Sequence, residues 1–233
     1  TGVLTGTSLD ISGDIDVDGT TNLDVVDIDG AVDMASTLGV TGIISIANGS
    51  AAAPAITFAS DTDTGILRGG TNNLAFAAGG ALRTYIDANT HLATSTAGTS
   101  NLALGVNAGN SIASGGNYNT VVGDEAGTAI TTGDSNVFVG YQSGDATTTS
   151  DSNVGVGRGT LTTNILSDHN TAIGNGALFT HNTATSVDAY NTAVGSNAGG
   201  AVTTGIENVL IGGLAGDALT DADYNIAVGK AAL

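Results

Sequence analysis

The segment Asn191-Thr192-Ala193-Val194-Gly195-Ser196-Asn197-Ala198-Gly199 decides the fold, because its pattern occurs eight times in the second half of the chain. Each copy begins with an Asn and has an aliphatic residue three positions later, a Gly four positions later and a small residue seven positions later. The asparagines follow one another at steps of 18, 17, 17, 17, 21, 17 and 17 residues and are Asn101, Asn119, Asn136, Asn153, Asn170, Asn191, Asn208 and Asn225. The glycines, called the turn glycines below, are Gly105, Gly123, Gly140, Gly157, Gly174, Gly195, Gly212 and Gly229. The small residues are Ala108, Ala126, Ser143, Thr160, Ala177, Ala198, Ala215 and Ala232.

The unit has the pattern of a short β-strand that ends in a turn. Positions one and three after the Asn are mostly β-branched or aliphatic and share one face of a strand, which we expect to point inward. The turn glycine permits a positive φ or a close backbone approach, so the chain is expected to turn there. An Asp or Asn two positions before the repeat Asn predicts a turn whose side chain bonds the backbone. These residues are Asn117, Asp134, Asp151, Asp168 and Asp223.

One unit is too short to bury its own apolar face, so the units are expected to stack and share a continuous core. If each unit adds one strand layer of about 4.8 Å, the stack of repeats spans roughly 38 Å. The asparagines are then expected to stack as a hydrogen-bonded ladder.

The sequence divides into three zones. Residues 1–50 alternate apolar with acidic residues and are punctuated by Gly, which predicts an Asp/Gly-rich β shaft. Residues 51–98 predict a small β module, with short strands at 54–58 and 73–77 and turns at 61–65 and 69–72. Residues 99–233 hold the repeats, and no segment predicts a helix. The predicted fold is an elongated all-β repeat fibre of the β-helix or β-roll type.

The composition restricts both the architecture and the partners. The chain has 233 residues with 36 Gly, no Trp and no Cys, and its apolar residues are mainly small aliphatics, which fill thin layers rather than a thick core. Stacking or association with other chains is therefore expected to supply the burial. A net charge of −18, with only four scattered basic residues, argues against nucleic acid and against anionic membranes. No apolar run approaches the length of a membrane span, and the ends of the sequence suggest a piece of a longer chain.

Two motifs have partial likeness to ligand-binding loops. Asp14-x-Asp16-x-Asp18-Gly19 begins like a calcium loop, but Val25 stands where the bidentate Glu should be, so we expect a solvated acidic strand face and keep weak calcium binding as the alternative. Gly69-Gly70 and Gly115-Gly116 lack the following Gly-Lys-Ser/Thr of a phosphate-binding loop.

The remaining candidates for chemistry are equally weak. His91, His169 and His181 lie far apart in sequence, and His169 holds a position that Tyr occupies in other units, which predicts a surface ring rather than a metal ligand. Paired carboxylates of a polysaccharide-cleaving solenoid need a groove with aromatic platforms, and the chain has no Trp. We therefore predict no catalytic, cofactor-binding or metal-ligating residue, no cofactor and no enzyme activity.

One unit is four residues longer than its neighbours. The extra length falls within residues 179–190, which also bring Phe179, His181 and Asn182. On a regular rod an insertion becomes a protruding loop, and loops carry recognition, so this loop is a candidate binding element. The alternative is a tolerated bulge without a partner.

The middle zone resembles a module that recurs in the tail fibres of tailed bacteriophages. The residues that carry this resemblance are Pro54-Ala55-Ile56-Thr57-Phe58, Asp61-Thr62-Asp63-Thr64-Gly65-Ile66, Leu74-Ala75-Phe76 and Arg83-Thr84-Tyr85-Ile86-Asp87. The Asp/Gly-punctuated first zone is similar to the shafts of marine phage fibres. The Asn-x-Ala-Val-Gly-x-x-Ala-Gly units resemble repeats of the same fibres and the shorter head repeats of trimeric autotransporter adhesins.

The resemblance implies an intertwined or side-by-side homotrimer in a virion, which contacts other tail proteins and reaches a glycan or protein on the host surface. The expected function is therefore a structural fibre or shaft of a phage tail that takes part in host attachment. A bacterial surface adhesin or extracellular filament subunit is the alternative, located outside the cell or on its surface. A polysaccharide-degrading solenoid enzyme is the third possibility.

Overall fold

The structure, a computed structural model, describes residues 40–86, 92–94 and 96–233. The chain forms two compact units, residues 1–45 and 46–233. In the first unit only residues 40–45 are described, and they contain no helix or strand. The predicted acidic shaft and the calcium-like segment at Asp14 therefore lie outside the described residues, apart from the last part of the shaft.

The second unit begins with antiparallel strands. A hairpin pairs β1 (Gly49–Ser50) with β2 (Ala53–Pro54). A five-stranded antiparallel sheet follows, in the order β3-β4-β5-β6-β7. Its small core contains Leu67, Ala75 and Ala77. The strands are β3 (Ile56–Phe58), β4 (Asp61–Leu67), β5 (Leu74–Ala78), β6 (Ala81–Ile86) and β7 (Leu92–Thr94).

One predicted turn in this module is wrong, because residues 61–65 belong to strand β4. Gly65 pairs with Thr57 on one side and with Ala77 on the other. A Cβ atom on Gly65 would collide with the carbonyl oxygen of Ile56, so this glycine permits close strand approach rather than a reversal of the chain. The other predicted turn, at residues 69–72, is confirmed.

The repeats form a parallel β-solenoid of about seven turns, which confirms the predicted β-helix. Its eight-stranded sheet has the order β17-β16-β15-β13-β11-β10-β9-β8. The pairing is regular, and equivalent repeat residues such as Val137 and Val154 are partners in neighbouring strands. The strands are β8 (Leu102–Leu104), β9 (Thr120–Val122), β10 (Val137–Val139), β11 (Val154–Val156), β13 (Thr171–Ile173), β15 (Thr192–Val194), β16 (Val209–Ile211) and β17 (Ile226–Val228). Two further short strands, β12 (Ser167–Asp168) and β14 (Val187–Asp188), form a separate parallel pair. No helix is present in the described part of the chain.

Each solenoid strand is short because a residue with positive φ lies close to each of its two ends. The turn glycine after the strand has a φ between 123° and 139°. A Cβ atom on Gly174 would lie 2.6 Å from the carbonyl carbon and oxygen of Gly195 in the next turn. The residue just before the repeat Asn also has positive φ, although it is never Gly. These residues are Ser100, Tyr118, Ser135, Ser152, His169, Tyr190, Glu207 and Tyr224.

The predicted asparagine ladder is confirmed. The Oδ1 atom of Asn119 accepts the backbone N–H of Asn136 at 3.0 Å and the side-chain Nδ2 of Asn136 at 3.1 Å. The same Nδ2 also donates to the carbonyl oxygen of Ser150 at 2.8 Å, which ties the strand to the far end of its own turn. Asn136 is completely buried, and its amide is satisfied on both sides as burial of a polar group requires.

The core is a thin column beneath the sheet. The central residue of each strand points into it, together with the small residue seven positions after the Asn; Phe138, for example, is fully buried. A Cβ atom on Gly155 in the next turn would lie 2.9 Å from the Phe138 ring, so a large side chain fits where its neighbour has none. The prediction that positions one and three point inward is therefore wrong for the single chain. Because the strand has only three residues, the interior receives the central one.

Replacing Gly174 with Val is expected to destabilise the solenoid strongly. A β-branched side chain resists the positive φ, and its Cβ would press on the backbone of Gly195, which together cost on the order of 3 kcal/mol or more of the free energy of unfolding. Chemical denaturation followed by circular dichroism measures the change. Gly213→Val is the matched control, since a Cβ there has only one neighbour, at 3.9 Å, and Val106 already holds that repeat position. Equal stability of the two variants would contradict this account of the turn.

Candidate functional site

The outward face of the solenoid sheet is apolar. Positions one and three after each Asn form this surface, called the exposed sheet face below. Away from the two edge strands, the residues Val156, Ile173 and Ile211 are 36%, 39% and 40% exposed. All eight residues at position three are aliphatic: Leu104, Val122, Val139, Val156, Ile173, Val194, Ile211 and Val228. The residues at position one are Leu102, Thr120, Val137, Val154, Thr171, Thr192, Val209 and Ile226.

The exposed sheet face carries no charged residue, although the chain has a net charge of −18. Its eight strands lie about 4.8 Å apart, so the face is a strip about 34 Å long. Contiguous exposed apolar patches of this extent on soluble proteins mark contact surfaces. The strip is therefore the main candidate for a functional surface on the solenoid.

The acidic residues two positions before the repeat Asn have a structural role. The Asp151 carboxylate accepts the backbone N–H of Asp134 at 2.6 Å, and the Asp168 carboxylate accepts that of Asp151 at 2.7 Å. The predicted side-chain-to-backbone bonds are thus confirmed, but they join neighbouring turns instead of closing a turn of their own. Partial burial raises the pKa of Asp168, while the bond from the Asp151 backbone opposes the shift. One oxygen of each carboxylate is engaged in holding the stack.

His169 lies on the surface, as its repeat position predicts. Its Nδ1 atom is 3.3 Å from a carboxylate oxygen of Asp188, and both side chains are about half exposed. The His169 ring also contacts Tyr190, with ring centroids 5.0 Å apart. Tyr190 donates its hydroxyl to Asp188 at 3.2 Å. The cluster joins two adjacent turns at the surface.

His181, in contrast, is completely buried in the core column. It follows its turn glycine by seven residues, a position that Ile130 and Val202 hold in other turns. Neither ring nitrogen has a hydrogen-bond partner. Burial lowers the pKa of His181 to about 4, and the backbone of Thr203 acts weakly in the opposite direction. A neutral imidazole here replaces an aliphatic side chain.

The prediction that Phe179, His181 and Asn182 lie in the inserted loop is wrong. The backbone N–H of Leu178 bonds to Ala198 and that of Asn182 bonds to Thr203, so the chain stays in register through this stretch. The extra length appears as exposed residues 184–186. Strand β14 then pairs with β12 and restores the register. The bulge is shorter than predicted, and Phe179 belongs to the regular wall of the solenoid.

The other sequence candidates do not assemble into a site. Gly69 and Gly70 begin the turn between β4 and β5. A Cβ on Gly116 would lie 2.6 Å from the Thr131 carbonyl oxygen, which explains the need for Gly there. His91 lies outside the described residues. Among the described residues, no three His, Cys, Asp or Glu side chains are grouped closely enough to hold a metal ion. Nor does the described part of the chain contain a helix with the length and apolarity that a membrane crossing requires.

No protein-family model, curated protein or solved structure matches this chain. Functional inference therefore depends on the solenoid itself: its exposed sheet face, its walls and the resemblance of its repeats.

The His181→Val variant is expected to lose less stability than wild type when the pH falls into the mildly acidic range. The pKa of His181 is about 4 in the folded state and 6.5 when unperturbed, so between these pH values the unfolded state binds more protons. Wild-type stability should therefore fall from pH 6.5 towards pH 4, by on the order of 3 kcal/mol from this group.

Denaturation at several pH values checks this expectation. The difference in unfolding free energy between His181→Val and wild type should grow as the pH falls through that range. Thr147→Val, a change at the same repeat position without a titrating group, should give a difference that does not change with pH. A pH-independent difference for His181→Val would contradict the buried neutral imidazole.

Proposed function

We propose that this chain is a structural fibre protein, a rod-forming segment of a bacteriophage tail fibre that associates as a homotrimer and takes part in host attachment. The observation that carries the proposal is the exposed sheet face. Its residues are regular and uncharged, and all are aliphatic except Thr120, Thr171 and Thr192, on a chain with a net charge of −18. Burial of such a strip against identical strips removes apolar area from water, which is the dominant driving force for association.

The form of the strip supports three copies around one axis. The side chains form two parallel rows, at positions one and three, that run the length of the stack. In a trimer each chain has two neighbours, and each row can pack against one of them. The stacked turns have a common direction, so the contacts repeat along the axis without interruption. Elsewhere the net charge of −18 opposes random association of the rods.

The phage assignment is supported by sequence resemblance. The strand-forming segments 54–58 and 74–76 belong to the module that resembles phage tail fibres, and the repeats resemble those of the same fibres. A long, regular solenoid without a grouped set of reactive side chains in its described part suits a mechanical spacer. In this proposal the fibre positions recognition surfaces away from the particle.

Replacing Ile173 with Lys is expected to prevent trimer formation while leaving the fold intact. The side chain is already 39% exposed in the single chain, so a Lys is tolerated there, but in the trimer it would place a charge in an apolar contact. Sedimentation equilibrium should give three times 22.5 kDa for wild type and a monomer for the variant, with unchanged circular dichroism. Ser196→Lys is the control, because Lys230 already occupies its repeat position. A folded wild-type monomer would refute the trimer.

Antibodies raised against the purified chain are expected to label the tails of intact phage particles in immunogold electron microscopy. Antibodies absorbed beforehand with the same chain serve as the control. Label on the bacterial surface or on secreted filaments, without label on particles, would refute the virion assignment and favour the adhesin alternative.

A further inference from the structure

A row of side chains follows one wall of the solenoid at the second position after each turn glycine. All of these residues have left-handed backbone, with φ between 53° and 67°. Their backbone N–H groups bond from turn to turn, as from Gly176 to the carbonyl oxygen of Arg158, so the positions lie directly above one another. In chain order they are Asn107, Glu125, Gln142, Gly159, Gly176, Asn197, Leu214 and Ala231. Two consecutive turns therefore lack a side chain in a row that is otherwise continuous.

This gap forms a depression of about 330 Å³, called the notch below. Gly159 and Gly176 form its floor, and Gln142 and Asn197 close its two ends. Three turns separate the backbones of these two residues, which corresponds to about 14 Å along the stack. The Asn197 amide reaches back over Gly176, where a Cβ atom would collide with its Oδ1. The Gln142 side chain is held by a 2.8 Å bond from its Nε2 to Glu125, which leaves its Oε1 as an acceptor for a ligand.

The side walls of the notch come from neighbouring rows. Arg158 and Asn175, one position before the glycines, are both exposed at one side. Phe179 is 44% exposed and lies against Gly159, whose Cβ atom, if present, would be 3.5 Å from the Phe179 ring. The preceding turn has Thr162 at this position and the next turn has Gly200, so the aromatic ring projects farther from the wall than either neighbour.

A second depression, of about 390 Å³, lies on the other side of the Phe179 ring. It shares Asn197 with the notch and is also lined by Gly200, Leu214 and Asp217. The ring therefore stands between two adjoining hollows on the same wall. A longer ligand can continue past the ring with an uncharged part, since the Asp217 carboxylate in the second hollow would repel an anionic group.

Arg158 gives the notch a charge opposite to that of the chain. It is one of four basic residues beside 22 acidic ones. Among the described residues, its guanidinium forms no ion pair with a carboxylate. The salt bridge found there joins His169 and Asp188. A planar guanidinium binds a carboxylate with two parallel hydrogen bonds, so an anionic group is the ligand for which it is suited.

We propose that the notch binds a short segment of an acidic polysaccharide, with a sugar carboxylate on Arg158. The apolar face of a sugar ring packs on Phe179, and the amides of Gln142, Asn175 and Asn197 bond its hydroxyls. A hollow of this size lies within the usual range for small-ligand sites, and its mainly polar lining suits a ligand with many hydroxyl groups. The proposal rests on the attachment function and assigns the class of surface molecule recognised.

Isothermal titration with three acidic probes tests the proposal: trigalacturonic acid, a hyaluronan tetrasaccharide and disialic acid. At least one should bind with a dissociation constant of about 1 mM or tighter, and its methyl ester should bind at least about tenfold more weakly, because the charge-assisted bonds to Arg158 are lost. Absence of binding by all three at about 10 mM would overturn the proposal. Equal binding of triglutamate would also overturn it, since the notch would then recognise charge without recognising sugar.

Other turns of the same solenoid show which residues the fold accepts at these positions. Arg158→Asn and Phe179→Thr introduce the residues found at the same positions in adjacent turns, Asn175 and Thr162. Gly159→Asn fills the notch with a residue that Asn107 and Asn197 already place in that left-handed row. Each change should weaken binding of the acidic sugar at least about tenfold. Lys230→Asn, which removes the same charge elsewhere, should leave it unchanged, and equal weakening by this control would refute the assigned site.

Sedimentation of the same samples separates this inference from the proposed function. A wild-type trimer that binds no acidic sugar would overturn the notch assignment and leave the fibre proposal intact. A monomer that binds the sugar, with loss in the notch variants, would support the notch and refute the trimeric fibre.

Discussion

The asparagine ladder is the interaction on which the rest of the solenoid depends. In most turns the amide oxygen accepts two hydrogen bonds from the next asparagine, and the amide nitrogen also reaches a carbonyl oxygen near the end of its own turn, as Asn136 reaches Ser150. Burial of these amides is favourable only while every donor and acceptor is paired. A turn with a different residue at this position would leave its neighbours unsatisfied, so the ladder fixes the register of the strands, and it continues from Asn170 to Asn191 across the 21-residue unit.

Regular stacking at this spacing also limits which residues fit between turns. A side chain on a turn glycine would meet the backbone of the following turn, as at Gly174 and Gly195, and the interior accepts mainly small residues. The core is therefore a thin column in which Phe138 needs Gly155 as its neighbour. Such a core buries modest apolar area, while the aliphatic residues at position three of every strand lie on the opposite side. The exposed sheet face is thus a consequence of the narrow interior, and association with other copies would complete its burial.

Positions outside the ladder and the turn glycines tolerate variety. The longer unit keeps its register at Leu178 and Asn182 and places its extra residues in a short bulge before β14. His181 takes the place of an aliphatic residue in the core, at the cost of a lowered pKa. On the wall, two consecutive glycines open the notch between Gln142 and Asn197. The repeat therefore supplies a rigid frame, and individual turns can differ where their side chains do not support the next turn.

The sequence by itself determined the solenoid, because a period of 17 residues with Asn, Gly and a small residue at fixed places is satisfied only by stacked turns. It could not determine which face of each strand is inside, since positions such as Val121 and Val122 are both apolar and a strand of three residues has no longer alternation to decide between them. Nor could the sequence decide whether Gly65 lies in a strand or in a turn, because its role depends on how closely the backbone of Ile56 approaches it. Only the tertiary structure decided that His181 is buried and that Arg158, Phe179 and two glycines meet in one notch. Residues about one repeat apart become neighbours when turns stack, and the side chains missing from two adjacent turns create a space that no single turn contains.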